Sequence, residues 1–346
     1  MQRILIAGQG IAGSALILEL LKRKVDFRVY DAASPNSCSG IAAGLINPIV
    51  FRRLNAVNHA WPCIRAANEM YSQAESSLGI KCFYSLPLFK PITHETKQLL
   101  GKKALELSAF LDEQVHENPY PLQWKKMQDY ILVNKAGYLN TSVFLSALRN
   151  RLREEGRLIE KKIDLSRLEF YSGGLNYEGE SFTDLLLSTG YSQVSRFFPQ
   201  AFFNPVKGEI LTLAIENFPE DSLLVDEKYL VPIAPGIFKL GSTYDWDNLN
   251  CLPTEDGRNT LTAALDELIR VPYKILNHEA GVRPASVDRA PVLGQSSIQS
   301  NAWIFNGLGT RGVLLAPYLA GIIASAICEH QPIPAGFQIH RFPLGA

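Results

Sequence analysis

Residues 2–31 read QRILIAGQGIAGSALILELLKRKVDFRVYD, and this stretch decides the fold. Its hydrophobic pattern predicts a strand over residues 2–7, a helix over 11–22 and a second strand over 27–30. The turn before the helix reads Gly8-Gln9-Gly10-Ile11-Ala12-Gly13, which has the spacing G-x-G-x-x-G. That spacing is informative because it follows a strand and opens a helix. The stretch therefore predicts the β-α-β unit of a Rossmann-type dinucleotide-binding fold.

The three glycines of this motif have separate predicted roles. Gly8 permits the tight turn, Gly10 lets the backbone approach a pyrophosphate, and Gly13 lets helix and strand pack closely. The N-terminus of the helix, which begins at Ile11 and Ala12, is expected to present free N–H groups and the positive end of the helix dipole. This end of the helix is therefore the predicted phosphate site.

A carboxylate and a run of small residues follow the β-α-β unit. Asp31 ends the second strand, where a carboxylate accepts the two ribose hydroxyls of a dinucleotide and repels a 2′-phosphate. Residues 37–48 read SCSGIAAGLINP, whereas an NAD domain normally begins a third β-α unit here. Small residues let the backbone lie against an extended cofactor, which favours FAD. A flexible loop is the alternative for this composition.

Composition excludes several classes of protein. The 346 residues are 47% hydrophobic and 20% charged, which is typical of one large domain or two intertwined ones. Lys+Arg and Asp+Glu both number 34, so no overall charge attracts nucleic acid or a membrane surface. Five cysteines and six histidines lack disulfide-framework or metal-ligand spacing, which favours a cytoplasmic protein without a metal. The apolar runs at 4–21 and 312–327 are too short to predict a membrane span.

The rest of the chain alternates predicted helices and strands. Asn140 or Thr141 is expected to cap a helix that carries Val143, Phe144, Ala147, Leu148 and Leu152 on one face. The other predicted helices cover residues 64–79, 95–115, 260–269 and 312–327. The predicted strands cover residues 184–187, 210–213, 229–232, 237–240 and 302–305.

Four motifs in the C-terminal half carry a family resemblance. They are PVKGE at 205–209, YLVP at 229–232 with LGSTY at 240–244, GVRP at 281–284 with Asp288 and PVLG at 291–294, and GLGTRG at 307–312 with LAP at 315–317. Together with residues 2–48 they resemble the D-amino-acid-oxidase superfamily of FAD enzymes. Within it, the resemblance is to bacterial glycine oxidases and to the FAD domain of the tRNA 5-methylaminomethyl-2-thiouridine biosynthesis protein. Leu308 replaces the usual histidine of glycine oxidases, and Arg311-Gly312 looks more like the tRNA enzyme.

The resemblance implies an interleaved two-domain fold. An α/β, Rossmann-type FAD-binding domain is expected from residues 1–80, 140–204 and 282–346. An α+β substrate domain with a largely antiparallel sheet is expected from residues 81–139 and 205–281. This arrangement is the glutathione-reductase-like fold of the superfamily.

The resemblance also implies the cofactor contacts. The FAD is expected to be non-covalent, because no Cys or His stands where covalent members attach their flavin. The N–H groups of residues 307–312 precede a helix and are expected to stabilise negative charge on the reduced flavin. The predicted cofactor-binding residues are Gly8, Gly10, Ile11, Ala12, Gly13, Asp31, Ser39, Ala42, Ala43, Gly44, Leu45, Ile163, Thr189, Gly190, Arg283, Gly307, Gly309, Thr310, Arg311 and Gly312.

Four side chains are the candidate catalytic residues. Arg283 is expected to hold a substrate carboxylate in two parallel hydrogen bonds; the alternative is a structural salt bridge, for example to Asp288. Tyr229 and Tyr244 are expected to project from neighbouring strands onto the substrate, and the alternative is two tyrosines packed in the sheet. Arg311 adds a cation near the flavin or the substrate, unless it is a surface residue.

These features predict an FAD-dependent amine oxidase or dehydrogenase. The neutral amine of an amino acid or N-substituted glycine would pass a hydride from its α-carbon to flavin N5, and water would hydrolyse the imine. Oxygen or another acceptor would reoxidise the flavin. One alternative is the same chemistry on a carboxymethylaminomethyl group of tRNA, which the balanced charge disfavours. Another is a non-catalytic flavoprotein scaffold. The oligomeric state is left open.

Overall fold

The computed structural model describes residues 2–112, 114–125, 129–191, 196–198 and 202–343. Its helices are α1 (Ile11–Lys22), α2 (Cys38–Ile41), α3 (Ala60–Leu78), α4 (His94–Leu107), α5 (Thr141–Glu154), α6 (Glu255–Asp266) and α7 (Gly312–Glu329). Short 3-10 turns cover Leu165–Arg167, Gly309–Arg311, Ala335–Phe337 and Ile339–Arg341.

The strands are short and numerous. They are β1 (Arg3–Ala7), β2 (Asp26–Tyr30), β3 (Leu45–Ile46), β4 (Ile49–Val50), β5 (Asn55–Ala56), β6 (Phe83–Ser85), β7 (Leu88–Pro91), β8 (Tyr130–Val133), β9 (Gly137–Leu139), β10 (Leu158–Ile159), β11 (Glu169–Tyr171), β12 (Gly174–Tyr177), β13 (Glu180–Phe182), β14 (Asp184–Leu187), β15 (Val206–Ala214), β16 (Leu223–Val225), β17 (Tyr229–Ala234), β18 (Ile237–Gly241), β19 (Lys274–Arg283), β20 (Val292–Gln295) and β21 (Ala302–Asn306).

The first large sheet, called here the parallel sheet, has the order β10-β2-β1-β14-β21-β20. Every neighbouring pair is parallel except β20 with β21 at one edge. Its central strand reads RILIA, and Ile4 to Ala7 are fully buried because helices and further chain cover both faces. This is the Rossmann-like sheet that the opening β-α-β unit predicted.

The second large sheet, called here the antiparallel sheet, has the order β19-β15-β18-β17-β16-β7-β8. Only β16 and β7 pair in parallel. One face packs on α6, where Leu211, Leu240 and Leu265 share a core. The other face meets α2, because Lys239 Nζ donates a hydrogen bond to the carbonyl oxygen of Ile41 at 2.6 Å. The fold is therefore mixed α/β, with the two sheets built from alternating stretches of chain as predicted.

Several predicted helix limits need correction. The helix predicted at 95–115 ends at Leu107, where the N–H groups of Phe110 and Leu111 both donate to the carbonyl oxygen of Leu107 and close a turn. The helix predicted at 64–79 begins at residue 60, and the helix predicted at 260–269 covers 255–266. Val143, which was predicted on the apolar face of α5, is 36% exposed and so lies at the edge of the buried face.

The apolar helix α7 is a core element of this fold. The segment Gly309–Glu329 is long and apolar enough to cross a membrane by length and composition, with a mean hydropathy of 1.7. In the folded chain α7 packs against α1 and α3, and 56% of the apolar segment is buried. The start of α7 lies against the start of α1, since a Cβ on Gly312 would be 3.0 Å from Ile11 Cγ2.

Candidate functional site

The fingerprint glycines lie where side chains cannot fit. Gly8 has φ +101°, and a Cβ there would be 2.5 Å from the carbonyl oxygen of Ser188. A Cβ on Gly13 would be 2.0 Å from the carbonyl oxygen of Gly8. Gly8 is therefore required for the turn, which passes close to the end of β14, and Gly13 is required for the close packing of α1 on that turn.

Gly10 differs because the protein leaves space in front of it. A Cβ there would meet only the side chain of Ser39, with Oγ at 3.1 Å. The backbone N–H of Ile11 donates to Ser39 Oγ at 3.0 Å, so a hydroxyl lies at the N-terminus of α1. The N-termini of α1 and α7 lie side by side here, as the contact of Gly312 with Ile11 requires. Two positive helix ends at one place favour an anion.

Asp31 is held at the end of β2 by two partners. The backbone N–H of Gln9 donates to Asp31 Oδ2 at 2.8 Å. Arg149 Nη1 donates to Asp31 Oδ1 at 2.7 Å, and Nη2 donates to the backbone carbonyl of Asp31 at 2.8 Å. Arg149 lies on α5 and was not predicted. The carboxylate is thus fixed beside the fingerprint turn, where the sequence placed the ribose contact.

The small-residue segment is held by hydrogen bonds, which disfavours the flexible-loop alternative. Gly44 has φ +70°, and a Cβ there would be 1.8 Å from the carbonyl oxygen of Leu139. The N–H of Leu139 donates to the carbonyl of Gly44 at 3.0 Å, and the Thr141 hydroxyl donates to the carbonyl of Ala42 at 3.0 Å. Leu45 pairs with Tyr138 across β3 and β9, and Ala43 is buried.

The other predicted cofactor residues lie at the ends of the strands of the parallel sheet or in its core. Thr189 and Gly190 follow β14, and Asn306 Nδ2 donates to the carbonyl oxygen of Gly190. Gly307 follows β21 with φ +72°, and Gly309 has φ +54°. Thr310 is exposed in the turn that leads into α7. Ile163 is buried in the core on the β2 side of the sheet.

This arrangement fits an FAD. Among the described residues, no atom lies within 4 Å of a Cβ on Gly190 and only Ser39 approaches one on Gly10, so the described backbone there is open to a cofactor. The adjacent helix N-termini suit a pyrophosphate, and Asp31 suits a ribose. The residues that would hold the cofactor come from the turn at 8–13, the segment 37–45 and the loop 307–312.

Arg283 lies buried on the face of the antiparallel sheet that meets α2. It is 8% exposed, and Nη2 donates to Ser242 Oγ at 2.6 Å. Weaker bonds run from Nη1 and Nη2 to the carbonyl of Thr243, at 3.4 and 3.5 Å. Within the described part of the chain, no Asp or Glu forms an ion pair with it. The predicted alternative, a salt bridge to Asp288, is wrong because Asp288 binds Arg341 at 2.7 Å.

Tyr229 lies beside Arg283 on the same face. Its hydroxyl lies across Gly241, where a Cβ would be 2.6 Å from that oxygen. Burial raises the pKa of Tyr229 to about 12, while the charge of Arg283 and the hydroxyl of Ser242 act in the opposite direction. The phenol is therefore a neutral hydrogen-bond donor at physiological pH.

Tyr244 lies against the guanidinium of Arg283. It follows β18 instead of lying on a strand, which corrects the prediction. Arg283 Cζ lies 4.9 Å from the centroid of its ring. Burial lowers the pKa of Arg311, and the nearby phenol of Tyr244 partly offsets that effect. Arg311 is thus a partly buried cation in the turn before α7, and the surface alternative is not supported.

The structure therefore brings all four candidate catalytic residues together. It also adds residues that sequence reasoning missed: Ser242, which binds Arg283, and Lys228, whose Nζ donates to the carbonyl of Ser242 at 3.2 Å. Burial lowers the pKa of Lys228, and the nearby charge of Arg283 acts in the same direction, while Glu227 opposes it. Ser242 stood inside the LGSTY motif, so that motif was the available signal. Nothing local marked Lys228.

Comparison with known proteins supports this description. A sequence profile described as DAO, FAD dependent oxidoreductase, matches residues 3–326. The tRNA 5-methylaminomethyl-2-thiouridine biosynthesis bifunctional protein of Idiomarina loihiensis is 22% identical over 338 residues, covering 93% of this chain and 55% of that protein. Glycine oxidase of Pseudomonas aeruginosa is 28% identical over 132 residues, covering 37% of this chain and 36% of that enzyme.

The fold itself is that of a solved glycine oxidase. The crystal structure of the enzyme from Geobacillus kaustophilus superimposes with a TM-score of 0.82 at 18% identity, covering 100% of this chain and 99% of that one. At that identity the match shows the fold alone. The alignment with the tRNA biosynthesis protein spans about half of that protein's length, 55%.

Proposed function

The chain belongs to the DAO family of FAD dependent oxidoreductases, and from that membership we propose that it oxidises a small amine that also carries a carboxylate. The substrate is an amino acid or an N-substituted glycine. The reaction converts the CH–NH group to an imine, which water hydrolyses to a carbonyl compound and an amine. Oxygen or another oxidant is the final electron acceptor.

One observation carries this proposal: the guanidinium of Arg283 is buried without a protein carboxylate among the described residues, and the partly buried Arg311 follows Leu308, which forms a β-bridge with Ala285. Arg283 bonds only to Ser242 and the carbonyl of Thr243 among the described residues. Arg311 has no described ion pair, although burial lowers its pKa. A buried cation normally has an anionic partner, because desolvating it alone is costly. A substrate carboxylate supplies that partner.

The residues around this site orient the substrate. The planar fork of Arg283 can hold both carboxylate oxygens, which fixes the position of the α-carbon. Tyr229 contributes a neutral hydroxyl beside it. Arg283, Arg311 and Lys228 together make the site positive, which disfavours an ammonium and favours the neutral amine that the reaction needs.

The predicted cofactor site gives a second line of support for the proposal. The turn at 8–13, Asp31, the segment 37–45 and the loop 307–312 would hold FAD. When bound, FAD supplies a two-electron acceptor for the oxidation of the carbon–nitrogen bond. Strand β19, which ends at Arg283, lies against the segment 37–45 of this cofactor site. A Cβ on Gly281 would be 2.7 Å from Ile41 Cδ1 and 3.3 Å from the Cα of Cys38.

Anaerobic titration of the FAD-loaded protein tests the proposal. Glycine, sarcosine, other N-alkyl glycines and a range of amino acids are added singly, and the flavin absorbance near 450 nm is followed. We expect bleaching by at least one amine that carries a carboxylate. Methylamine and benzylamine, which lack the carboxylate, are the controls. Bleaching by these amines at equal efficiency, or by none of the carboxylated amines, contradicts the proposal.

A second candidate is oxidation of a modified base in tRNA. The balanced charge of the chain disfavours tRNA binding. The 22% identity to the tRNA biosynthesis protein, however, extends over 93% of this chain and favours this candidate. Such a substrate presents the same carboxylate and amine to Arg283. The two candidates therefore differ in what binds outside the site, and a salt titration separates them.

A further inference from the structure

Two large aromatic side chains lie exposed beside the proposed carboxylate site. Tyr244 is 53% exposed and Trp246 is 50% exposed. Their rings are stacked, with centroids 5.9 Å apart and an interplanar angle of 22°. We call this pair the aromatic shelf. Paired exposed aromatic rings are unusual on a protein surface unless a ligand covers them.

The aromatic shelf is continuous with the carboxylate site. Arg283 Cζ lies 4.9 Å from the ring centroid of Tyr244, and Trp246 stacks on that same ring. A molecule whose carboxylate bonds to Arg283 therefore has Tyr244 next to it and Trp246 one ring further away. A group that extends from its amine or α-carbon toward Tyr244 would lie next to the aromatic shelf.

The loop that carries the aromatic shelf is fixed at both ends by one residue of β15. The N–H of Glu209 donates to the Thr243 hydroxyl at 2.9 Å, at the start of the loop. The carboxylate of Glu209 accepts the N–H of Thr254 at 3.0 Å and its hydroxyl at 2.8 Å, at the end of the loop. Glu209 is 3% exposed, so this clamp is shielded from solvent.

The middle of the loop is fixed as well. Asp245 exchanges two backbone hydrogen bonds with Lys207, at 2.8 and 3.0 Å, and Lys207 Nζ donates to Asn250 Oδ1 at 3.3 Å. The carboxylate of Asp245 accepts the N–H groups of Asp247 and Asn248, both at 3.0 Å, which closes a turn around Trp246. The indole is therefore presented on ordered backbone.

We propose that the aromatic shelf binds a planar ring of the substrate, so that the preferred amine carries both a carboxylate and an aromatic group. The proposal rests on the proposed function, because it places the carboxylate on Arg283. Ring stacking on a preformed aromatic pair adds affinity at low entropic cost. Trp246 is then the specificity-determining residue, and N-benzylglycine is a suitable probe of this substrate class.

The test compares N-benzylglycine with sarcosine in the FAD-loaded protein. We expect kcat/KM to be about tenfold higher for N-benzylglycine, the effect of one good aromatic contact with its buried area. In Trp246→Ala the ratio of the two kcat/KM values falls to about threefold or less, and in Trp246→Phe it stays close to wild type. Trp61→Ala is the matched control, because Trp61 is similarly exposed but lies on α3.

A binding measurement gives a readout that does not depend on turnover. Phenylacetate and propionate carry the same carboxylate with and without a ring, and calorimetry gives their dissociation constants. We expect phenylacetate to bind about tenfold more tightly, and this advantage to be lost in Trp246→Ala but kept in Trp61→Ala.

The outcomes separate the two proposals. Oxidation of sarcosine with no advantage for the ring, or an advantage that survives Trp246→Ala, overturns the aromatic shelf and leaves the proposed function standing. Failure of both amines to reduce the flavin, together with failure of both carboxylates to bind, overturns the proposed function and the aromatic shelf with it.

Discussion

The guanidinium of Arg283 lies directly over Gly208. A Cβ atom on Gly208 would be 1.9 Å from Nη2 of Arg283 and 2.3 Å from Cζ. Gly208 on β15 pairs with Gly281 on β19, two residues before Arg283, so the arginine side chain runs back along the sheet and over the neighbouring strand. Only the absence of a side chain at Gly208 lets the guanidinium lie flat and reach Ser242.

Gly208→Ala is therefore expected to displace Arg283 while leaving the cofactor site intact. The methyl group overlaps the guanidinium, which must move away from Ser242. We expect FAD content near that of wild type and kcat/KM for a carboxylated amine about 10- to 100-fold lower, the range for weakening a charge-assisted contact. Flavin absorbance and steady-state kinetics measure the two quantities.

Gly101→Ala is the matched control for this variant. Gly101 lies on the exposed helix α4, and no atom lies within 4 Å of a Cβ there. This substitution should leave kcat/KM unchanged, because alanine is the better helix former. If Gly208→Ala also keeps full kcat/KM, Arg283 does not need its observed position.

Arg283 itself is expected to matter for substrate and not for folding. Arg283→Ala should cost roughly 2–4 kcal/mol in kcat/KM for a carboxylated amine, the scale for losing a charged hydrogen-bonded contact. Arg283→Lys should recover only part of it, since an ammonium cannot form the bidentate fork. Arg341→Ala, which breaks the peripheral pair with Asp288, is the control. Full activity in Arg283→Ala would remove this residue from the site.

The sequence predicted those site residues that belong to short motifs. Gly8 and Gly13 are required by atoms within the fingerprint and by the strand next to it, so a short motif records them. The GVRP and LGSTY motifs likewise marked Arg283 and Tyr244. These motifs predicted which residues matter, and the fold was needed to show that they meet.

Contacts between distant parts of the chain left no local signal. Arg149 on α5 binds Asp31, and Lys239 on β18 binds the carbonyl of Ile41, but neither residue stands in a recognisable pattern. The start of α6 was a missed signal, because Thr254 caps it and Glu255 and Asp256 follow. The exposed Val143 shows that tertiary packing, and not periodicity alone, decides burial.

The phosphate role of Gly10 can be tested separately from folding. A side chain at Gly10 meets only the flexible side chain of Ser39, whereas one at Gly13 meets backbone at 2.0 Å. Gly10→Val is therefore expected to fold but to block a pyrophosphate, which gives a colourless protein. Gly13→Val should instead fail to fold stably. Circular dichroism and FAD released on denaturation distinguish them. Full FAD loading in folded Gly10→Val would count against the phosphate assignment.

The pH dependence of activity should lack a contribution from Tyr229 in the ordinary tyrosine range. Burial raises its pKa to about 12, so the phenol stays neutral at a pH where an ordinary tyrosine, with a pKa near 10, ionises. We expect no fall in kcat/KM from this group between about pH 8 and 10.5. Tyr229→Phe should lower kcat/KM about tenfold without changing the shape of the profile. A descending limb near pH 10 that disappears in Tyr229→Phe would contradict the raised pKa.

The basic side chains decide what can bind outside the site. They occur in short runs at residues 22–24, 52–53, 102–103, 125–126 and 161–162. Lys22 pairs with Glu69, and Arg23 pairs with Glu19 and Glu329, so two of the three cations of the run 22–24 are paired with acids. The pair Lys161-Lys162 is exposed. The structure brings the pairs Arg52-Arg53 and Lys102-Lys103 together, since Lys103 Nζ donates to the carbonyl of Arg53 at 3.1 Å. The remaining pair includes Lys126, which lies outside the described residues.

Salt dependence therefore separates a free amine from tRNA. Each phosphate contact makes binding weaken with salt, and several contacts weaken it by orders of magnitude between about 50 and 200 mM. The chain has 34 basic and 34 acidic residues, and Lys22 and Arg23 are paired with acids. Among the basic pairs that the structure describes, Arg52-Arg53 and Lys102-Lys103 form a joined patch. We expect oxidation of a free amino acid or N-alkyl glycine that changes less than about twofold over this range, and that is unaffected in Arg53→Glu. Flavin reduction by modified tRNA but by no free amine, lost steeply as salt rises and in Arg53→Glu, would establish tRNA as the substrate instead.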